Sequence, residues 1–295
     1  MNIPFYIVDV FSDSKYAGNQ LAVFLDAENI AEDQMQKIAA EINFAESTFI
    51  TKMNPDEATA QIRIFTPVKE MQFAGHPIIG TSWVLMNKIF KTNPLNCTVT
   101  VPIGPIPVYQ SEGLVWLQAA QPEFFDIFSK DDFVSFSNLE LNDFDSRFHI
   151  QEVTTGSAFI MVPVKDKKTL EKIELDKSKA EKWLKDHCKT AHQVLYFFCL
   201  EDSELCSRML CIEKNQLIED AATGSASSCL QAFLLKYHSP MINIINNQGE
   251  FINRPSQIFF EGKLSAEHFD IKIGGKTQLI AKGEWEIGYQ SHSIL

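Results

Sequence analysis

Three features of the sequence predict an α+β protein built of two similar halves. They are its length, a succession of β-rich runs with few helices, and a small-residue turn that twice opens a long apolar helix. At 295 residues the chain exceeds one ordinary domain, so two domains of roughly 150 residues each are expected. Hydrophobic residues at 45% and charged residues at 22% are the proportions of a packed globular protein. Phenylalanine occurs 23 times, which points to large cores or to an apolar cleft between two of them.

Taken in order, residues 4–11 and 21–25 are β-rich runs separated by the turn Ala17-Gly18-Asn19. Residues 31–42 place Met35, Ile38, Ala39 and Ile42 at helical spacing after the acidic first-turn residues Glu32 and Asp33. Strands are expected over 47–52 and 58–66, the second showing alternation of Ile62, Ile64 and Thr66 with Gln61, Arg63 and Phe65. Phe73-Ala74-Gly75-His76-Pro77 then opens an apolar segment from Ile78 to Phe90. Pro77 suits the first turn of a helix, where its missing N–H costs nothing. Short strands follow to about 120, and the acidic, Phe-rich stretch 121–150 shows no period and reads as a connection. Strands near 158–164, 193–200 and 206–213 lead to Glu219-Asp220-Ala221-Ala222-Thr223-Gly224-Ser225-Ala226, from which an apolar helix runs to about 237. The two turn-and-helix units lie about half the chain apart. Both helices are apolar on most faces, so each is expected inside its own domain with strands wrapped around it. The cleft between the domains is the expected site.

A net charge of −12 argues against a nucleic-acid partner, which requires clustered Lys and Arg. The six cysteines include no CxxC pair, and the seven histidines no HExxH or HxH grouping. A reducing compartment with no metal site follows as the expectation. The N-terminal run has no basic n-region and carries Asp9 within its apolar residues, so it reads as a strand, not a signal peptide. No stretch approaches the ~18 apolar residues of a membrane span, and a cytoplasmic protein without membrane contact is expected. There is no GxGxxG after a strand and no GxxxxGK[ST], and Thr223-Gly224-Ser225-Ala226 lacks the GxSxG frame.

The chemistry expected of two helix N-termini facing one cleft is anion binding. Their unpaired N–H groups and partial positive charge would hold a carboxylate or a developing enolate. Gly75 and Gly224 let a ligand approach the backbone closely, or merely permit a tight turn. Near these turns lie Glu46, His76 and Asp220. A carboxylate beside Phe44 and Phe73 would have a raised pKa and could shuttle protons near neutrality. Each residue also has a plain alternative. Asp220 fits an N-cap, His76 a cap hydrogen-bonded to backbone, and Glu46 a charged residue where a strand starts.

The sequence resembles the PhzF-like phenazine-biosynthesis family. The residues that carry the resemblance run, in family order, from Val8-Asp9-Val10-Phe11, Ala17-Gly18-Asn19, Glu46-Ser47-Thr48 and Ile64-Phe65-Thr66-Pro67 through Phe73-Ala74-Gly75-His76-Pro77 and Glu219-Asp220 with Ala222-Thr223-Gly224-Ser225-Ala226. They end with Gln248-Gly249 and Arg254-Pro255-Ser256. The resemblance implies two pseudo-symmetric domains like those of diaminopimelate epimerase, each a sheet or barrel around a central helix, in a homodimer. Residues 1–120 would form the first domain, with a strand at about 277–290 as a candidate to complete it, and 121–276 the second. It also implies a cofactor-independent isomerase that moves a proton on a small cyclic or amino-acid-like carboxylate. The proton-transferring glutamate falls on Glu46, the supporting histidine and aspartate on His76 and Asp220, and the serine on Ser225. Asn19, Gly75, Thr223 and Gly224 would line the substrate site with it. Gln20, Ala221 and Asn253 depart from the family pattern at turn positions. The epimerase itself uses two thiols at the helix starts, where this chain has Ala74 and Ala221, and Cys229 reads as a buried core thiol. The rival expectation is a non-catalytic member that binds a metabolite or a protein.

Overall fold

The computed structural model describes residues 2–188, 194–213 and 215–288. Positions 193, 289 and 290, margins of two expected strands, lie outside the described residues.

The strands form one continuous sheet whose pairing order is written twice. Thr277–Glu286 lies antiparallel to Asn2–Val10, which lies antiparallel to Asn19–Phe24. Next come Glu46–Asn54 (parallel), Thr59–Phe65 (antiparallel), Asn96–Val101 (parallel), and then Gly104–Ser111 and Leu114–Gln118, both antiparallel. The second half runs through Glu123–Phe128, Ile150–Thr154, Ala158–Pro163, Val194–Glu201, Glu204–Glu213, Met241–Gln248, Ser256–Ser265 and His268–Gly275 with the same succession of parallel and antiparallel pairs. Two short strands, Glu70–Met71 and Gln216–Asp220, attach at corresponding places. Leu114–Gln118 pairs with His268–Gly275 and joins the halves.

A parallel pair needs a long crossover, and a helix is the usual means. In each half the second crossover is the central helix, Gly75–Val84 in the first and Gly224–Tyr237 in the second. Gly75 through Ser82 are all buried, as are Ala226 through Leu235. A helix surrounded by its own sheet has no solvent face to leave polar, which explains why neither shows an apolar stripe. The first continues as a π-helical turn over Leu85–Ile89. Pro77 sits in its first turn, where no hydrogen bond is lost.

The stretch 121–150 is more ordered than its composition suggested. It holds the strand Glu123–Phe128 and the helix Lys130–Phe136, whose N-cap Ser129 accepts a hydrogen bond from the Asp131 N–H. Phe133 and Phe136 pack with Trp183 of a second helix, Lys177–His187, at ring-centroid distances of 5.0 and 5.5 Å. A seven-residue helix is too short to display a period, so its phenylalanines looked aperiodic. All six cysteines are free thiols, and burial pushes the Cys229 thiol up to about 12. No helix among the described residues is long and apolar enough to cross a membrane.

Candidate active site

The central helices meet tip to tip. A Cβ placed on Gly75 would lie 3.4 Å from the Ser225 nitrogen, and one on Gly224 would lie 3.6 Å from the Gly75 Cα and 3.3 Å from the Phe11 ring. A Cβ would thus make ordinary contact at Gly75 and press on the Phe11 ring at Gly224, so the two helix starts lie against each other with little space between them. Two sets of unpaired helix N–H groups are brought to one place, concentrating partial positive charge there.

Around the tips the sheet delivers the ionisable groups. Glu46 opens the strand Glu46–Asn54 and pairs with Leu21 of the strand that Asn19 opens. His76 is the second residue of the first central helix. Asp220 ends the strand Gln216–Asp220 and does not cap the helix: Thr223 is the N-cap, and its side chain makes no capping bond. The Thr223 hydroxyl donates to Asp220 Oδ2 at 2.6 Å instead. Asn19 Nδ2 donates to Asp220 Oδ1 at 2.9 Å and to the Ala222 carbonyl at 2.8 Å, and lies 3.5 Å from His76 Nδ1. His76 Nε2 lies 3.5 Å from Glu46 Oε2 but makes no aligned hydrogen bond and has no other partner among the described residues. Glu46, His76, Asn19, Asp220 and Thr223, far apart in the chain, thus form one cluster.

Burial sets the charges of this cluster. It pushes Glu46 up to about 8, with the negative charges of Asp220 and Glu213 adding to the effect. The Glu46 side chain keeps 17% of its surface accessible, which tempers that shift and leaves the carboxyl within reach of a substrate. Burial raises Asp220 to about 6, against hydrogen bonds from Thr223 and Asn19 that pull it down. It lowers His76 to about 3, so the imidazole is neutral near pH 7 and its contact with Glu46 is not an ion pair. Near neutrality Glu46 therefore holds a proton while Asp220 is ionised.

Stability must respond to these shifts. Between its ordinary 4.5 and about 8, Glu46 binds more proton in the folded than in the unfolded chain, so its contribution declines as pH rises through that window. Glu46→Gln cannot ionise, and its melting temperature relative to wild type should climb as pH is raised from 5 to 9. A constant difference across that range, read by calorimetry, would contradict the raised pKa.

A small, partly enclosed cavity adjoins the tips, lined among others by Phe73, Gly75, Leu117, Thr155, Gly224 and Ser225. Its lining includes neither Glu46, His76 nor Asp220; the cavity and the carboxylates share only the helix tips. Phe73 lines this cavity, whereas Phe44 packs on the core with residues of the helix Glu32–Ile42 and is not part of the cavity's lining. Asn253, one of the three turn positions that depart from the family pattern, adopts φ 58°, a left-handed conformation that asparagine tolerates. Among the described residues no three His, Cys, Asp or Glu side chains gather as metal ligands.

Sequence reading missed the support behind Asp220. Gln248 Nε2 donates to the Asp220 carbonyl and to Thr223 Oγ1, both at 3.0 Å. Its Oε1 accepts from the Thr223 N–H at 3.2 Å and from the Tyr196 hydroxyl at 2.8 Å. Ser207, Ser227 and Asn246 surround that hydroxyl. Only the Gln248-Gly249 pair stood out in the sequence, because polar residues on strands look like solvent-facing positions.

A doubled fold whose two central helices meet tip to tip is the architecture of the diaminopimelate epimerase-like class. The chain belongs to the phenazine biosynthesis-like (PhzC–PhzF) family, which matches residues 8–283. It is 27% identical to the trans-2,3-dihydro-3-hydroxyanthranilate isomerase of Pseudomonas aeruginosa over 95% of this chain and 98% of that one. It is also 26% identical to an uncharacterised isomerase of Pasteurella multocida, over 95% of this chain and 93% of the other. The crystal structure of a PhzF-family phenazine biosynthesis protein from Bacillus anthracis shares the fold, with a TM-score of 0.86 at 24% identity, covering 97% of this chain and 100% of that one.

Proposed function

We propose that this protein is a cofactor-independent isomerase that moves a proton within a small cyclic or amino-acid-like carboxylate, with Glu46 as the transferring group. The observation that carries this reading is the position of Glu46. It is a buried carboxyl raised to about 8 beside an ionised Asp220 and a neutral His76, at the junction of two helix N-termini. In its ionised form Glu46 takes a proton from a substrate carbon, and the electron pair enters the conjugated system. The helix N–H groups at Gly75 and Gly224, with Ser225, stabilise the anion. The Glu46 acid then returns the proton to another carbon, which restores the carboxylate and leaves substrate and product isomeric. His76 and Asp220 orient the substrate, and Asn19 and Thr223 hold Asp220. The name of the Pseudomonas aeruginosa relative supports a cyclic amino-acid substrate of the dihydro-hydroxyanthranilate type. The same reading takes the protein to be cytoplasmic and homodimeric.

The test is proton NMR of trans-2,3-dihydro-3-hydroxyanthranilate in deuterated buffer with the purified protein. Isomerisation accompanied by deuterium at carbon is expected. Stoichiometric binding without exchange, of this or other small cyclic carboxylates, would make the protein a binder instead.

A further inference from the structure

The polar group behind Asp220 is an unusual component of this core. Tyr196, Ser207, Ser227, Asn246 and Gln248 are each no more than 1% exposed, and none points into the cavity at the helix tips. Polar groups at that depth are retained where their hydrogen bonds are satisfied and specific. Here the bonds have a direction that the chemistry of the groups fixes. A Gln Oε1 only accepts, so the Tyr196 hydroxyl, 2.8 Å away, must donate to it. The same Oε1 accepts the Thr223 N–H, which forces Nε2 to face the Asp220 carbonyl and Thr223 Oγ1. Since Thr223 Oγ1 receives that N–H, its own proton turns to Asp220 Oδ2 at 2.6 Å.

We propose that Gln248 is a positioning residue: anchored by Tyr196, it locks the Thr223 hydroxyl as a donor to Asp220 and so holds Asp220 in place as the charged neighbour of Glu46. The link from Asp220 to Glu46 is the charge of one carboxylate beside another. Besides these two, the titratable groups facing them from packed elements are His76, Glu213, Glu219, Cys211 and Tyr196. This inference rests on the reading of Glu46 as the proton-transferring group, but its test needs no turnover.

The Asp and Glu carboxyl carbons of the full-length protein are labelled with ¹³C and titrated by NMR, with Glu46→Gln and Asp220→Asn assigning the two signals. Thr223→Val and Gln248→Met should each move the Asp220 midpoint up by about half a pH unit or more, while the Glu46 midpoint, reached at a pH where Asp220 is already ionised, stays in place. Thr223→Ser should restore the Asp220 midpoint. Adding Gln248→Met to Thr223→Val should produce no further shift, because Gln248 acts through that hydroxyl. Should Gln248→Met not fold, Tyr196→Phe tests the same anchor and should move the Asp220 midpoint in the same direction. An unchanged Asp220 midpoint in a folded Gln248→Met or Thr223→Val protein would overturn the proposal, as would additive shifts in the double variant. Normal titration shifts in a protein inactive on every carboxylate tried would instead remove only the isomerase reading.

Discussion

Glu46→Gln is expected to lower turnover by about 10²–10⁴-fold, the usual contribution of a positioned acid–base group, while ligand affinity changes little. The amide keeps the size and shape of the carboxyl, and the backbone of residue 46 stays in its ladder beside Leu21. What is lost is the ability to carry a proton. The change leaves the charge of the environment as it was, since the wild-type side chain is itself protonated near neutrality. Wild-type kcat/KM should fall about tenfold per pH unit below about 8 if the ionised form is the base, because the reactive fraction shrinks in that proportion. Asp220→Asn should move this limb to lower pH, since removing the neighbouring negative charge lowers the Glu46 pKa. Deuterium exchange and pH–rate profiles with trans-2,3-dihydro-3-hydroxyanthranilate measure both effects. Undiminished exchange in Glu46→Gln would take the residue out of the mechanism.

How much of this was legible in the sequence depends on how local each signal is. The two central helices announce themselves, because a helix apolar on every face must be enclosed and a small-residue turn must precede it. The helix Glu32–Ile42 shows its spacing plainly, whereas Lys177–His187, in the corresponding crossover of the second half, was missed because its sequence is dominated by Lys, Glu and Asp. The motif residues were legible as residue types but not as partners. Nothing in one sequence says that Asn19 reaches Asp220, 201 positions away, or that Thr223 donates its hydroxyl there instead of capping its own helix. The network at Tyr196 is further out of sight, since all its members but Ser227, which lies on the second central helix, sit on strands where alternation assigns polar residues to solvent. Local periodicity reports burial. Long-range hydrogen bonding becomes readable only when the sheet register is known.

Arg254→Met is expected to destabilise the protein by about 3–5 kcal/mol, the range for a buried charge deprived of its partner. Asp9 is 2% exposed; its Oδ1 accepts from Arg254 Nη2 at 2.7 Å and its Oδ2 from the Tyr16 N–H at 2.7 Å. The guanidinium also donates to the carbonyls of Gly18 and Ala17, each at 2.9 Å. Two backbone bonds complete the tie, from Gly18 N–H to the Pro255 carbonyl at 3.0 Å and from Gln257 N–H to the Phe11 carbonyl at 2.8 Å. Asp9 and the turn to Asn19 belong to the first half of the sheet, and Arg254 to the second. The pair therefore fastens the halves at the place where Asn19 must reach Asp220. Methionine fills the space of the Arg254 stem but leaves Asp9 buried without a counter-charge. Asp9→Asn with Arg254→Met removes both charges, so the double variant should lose clearly less stability than the two single losses added together. Urea unfolding of the four proteins gives the coupling directly. A loss below about 1 kcal/mol for Arg254→Met would place the pair among ordinary surface ion pairs. Strict additivity would show that Asp9 is held by the Tyr16 N–H and not by the arginine.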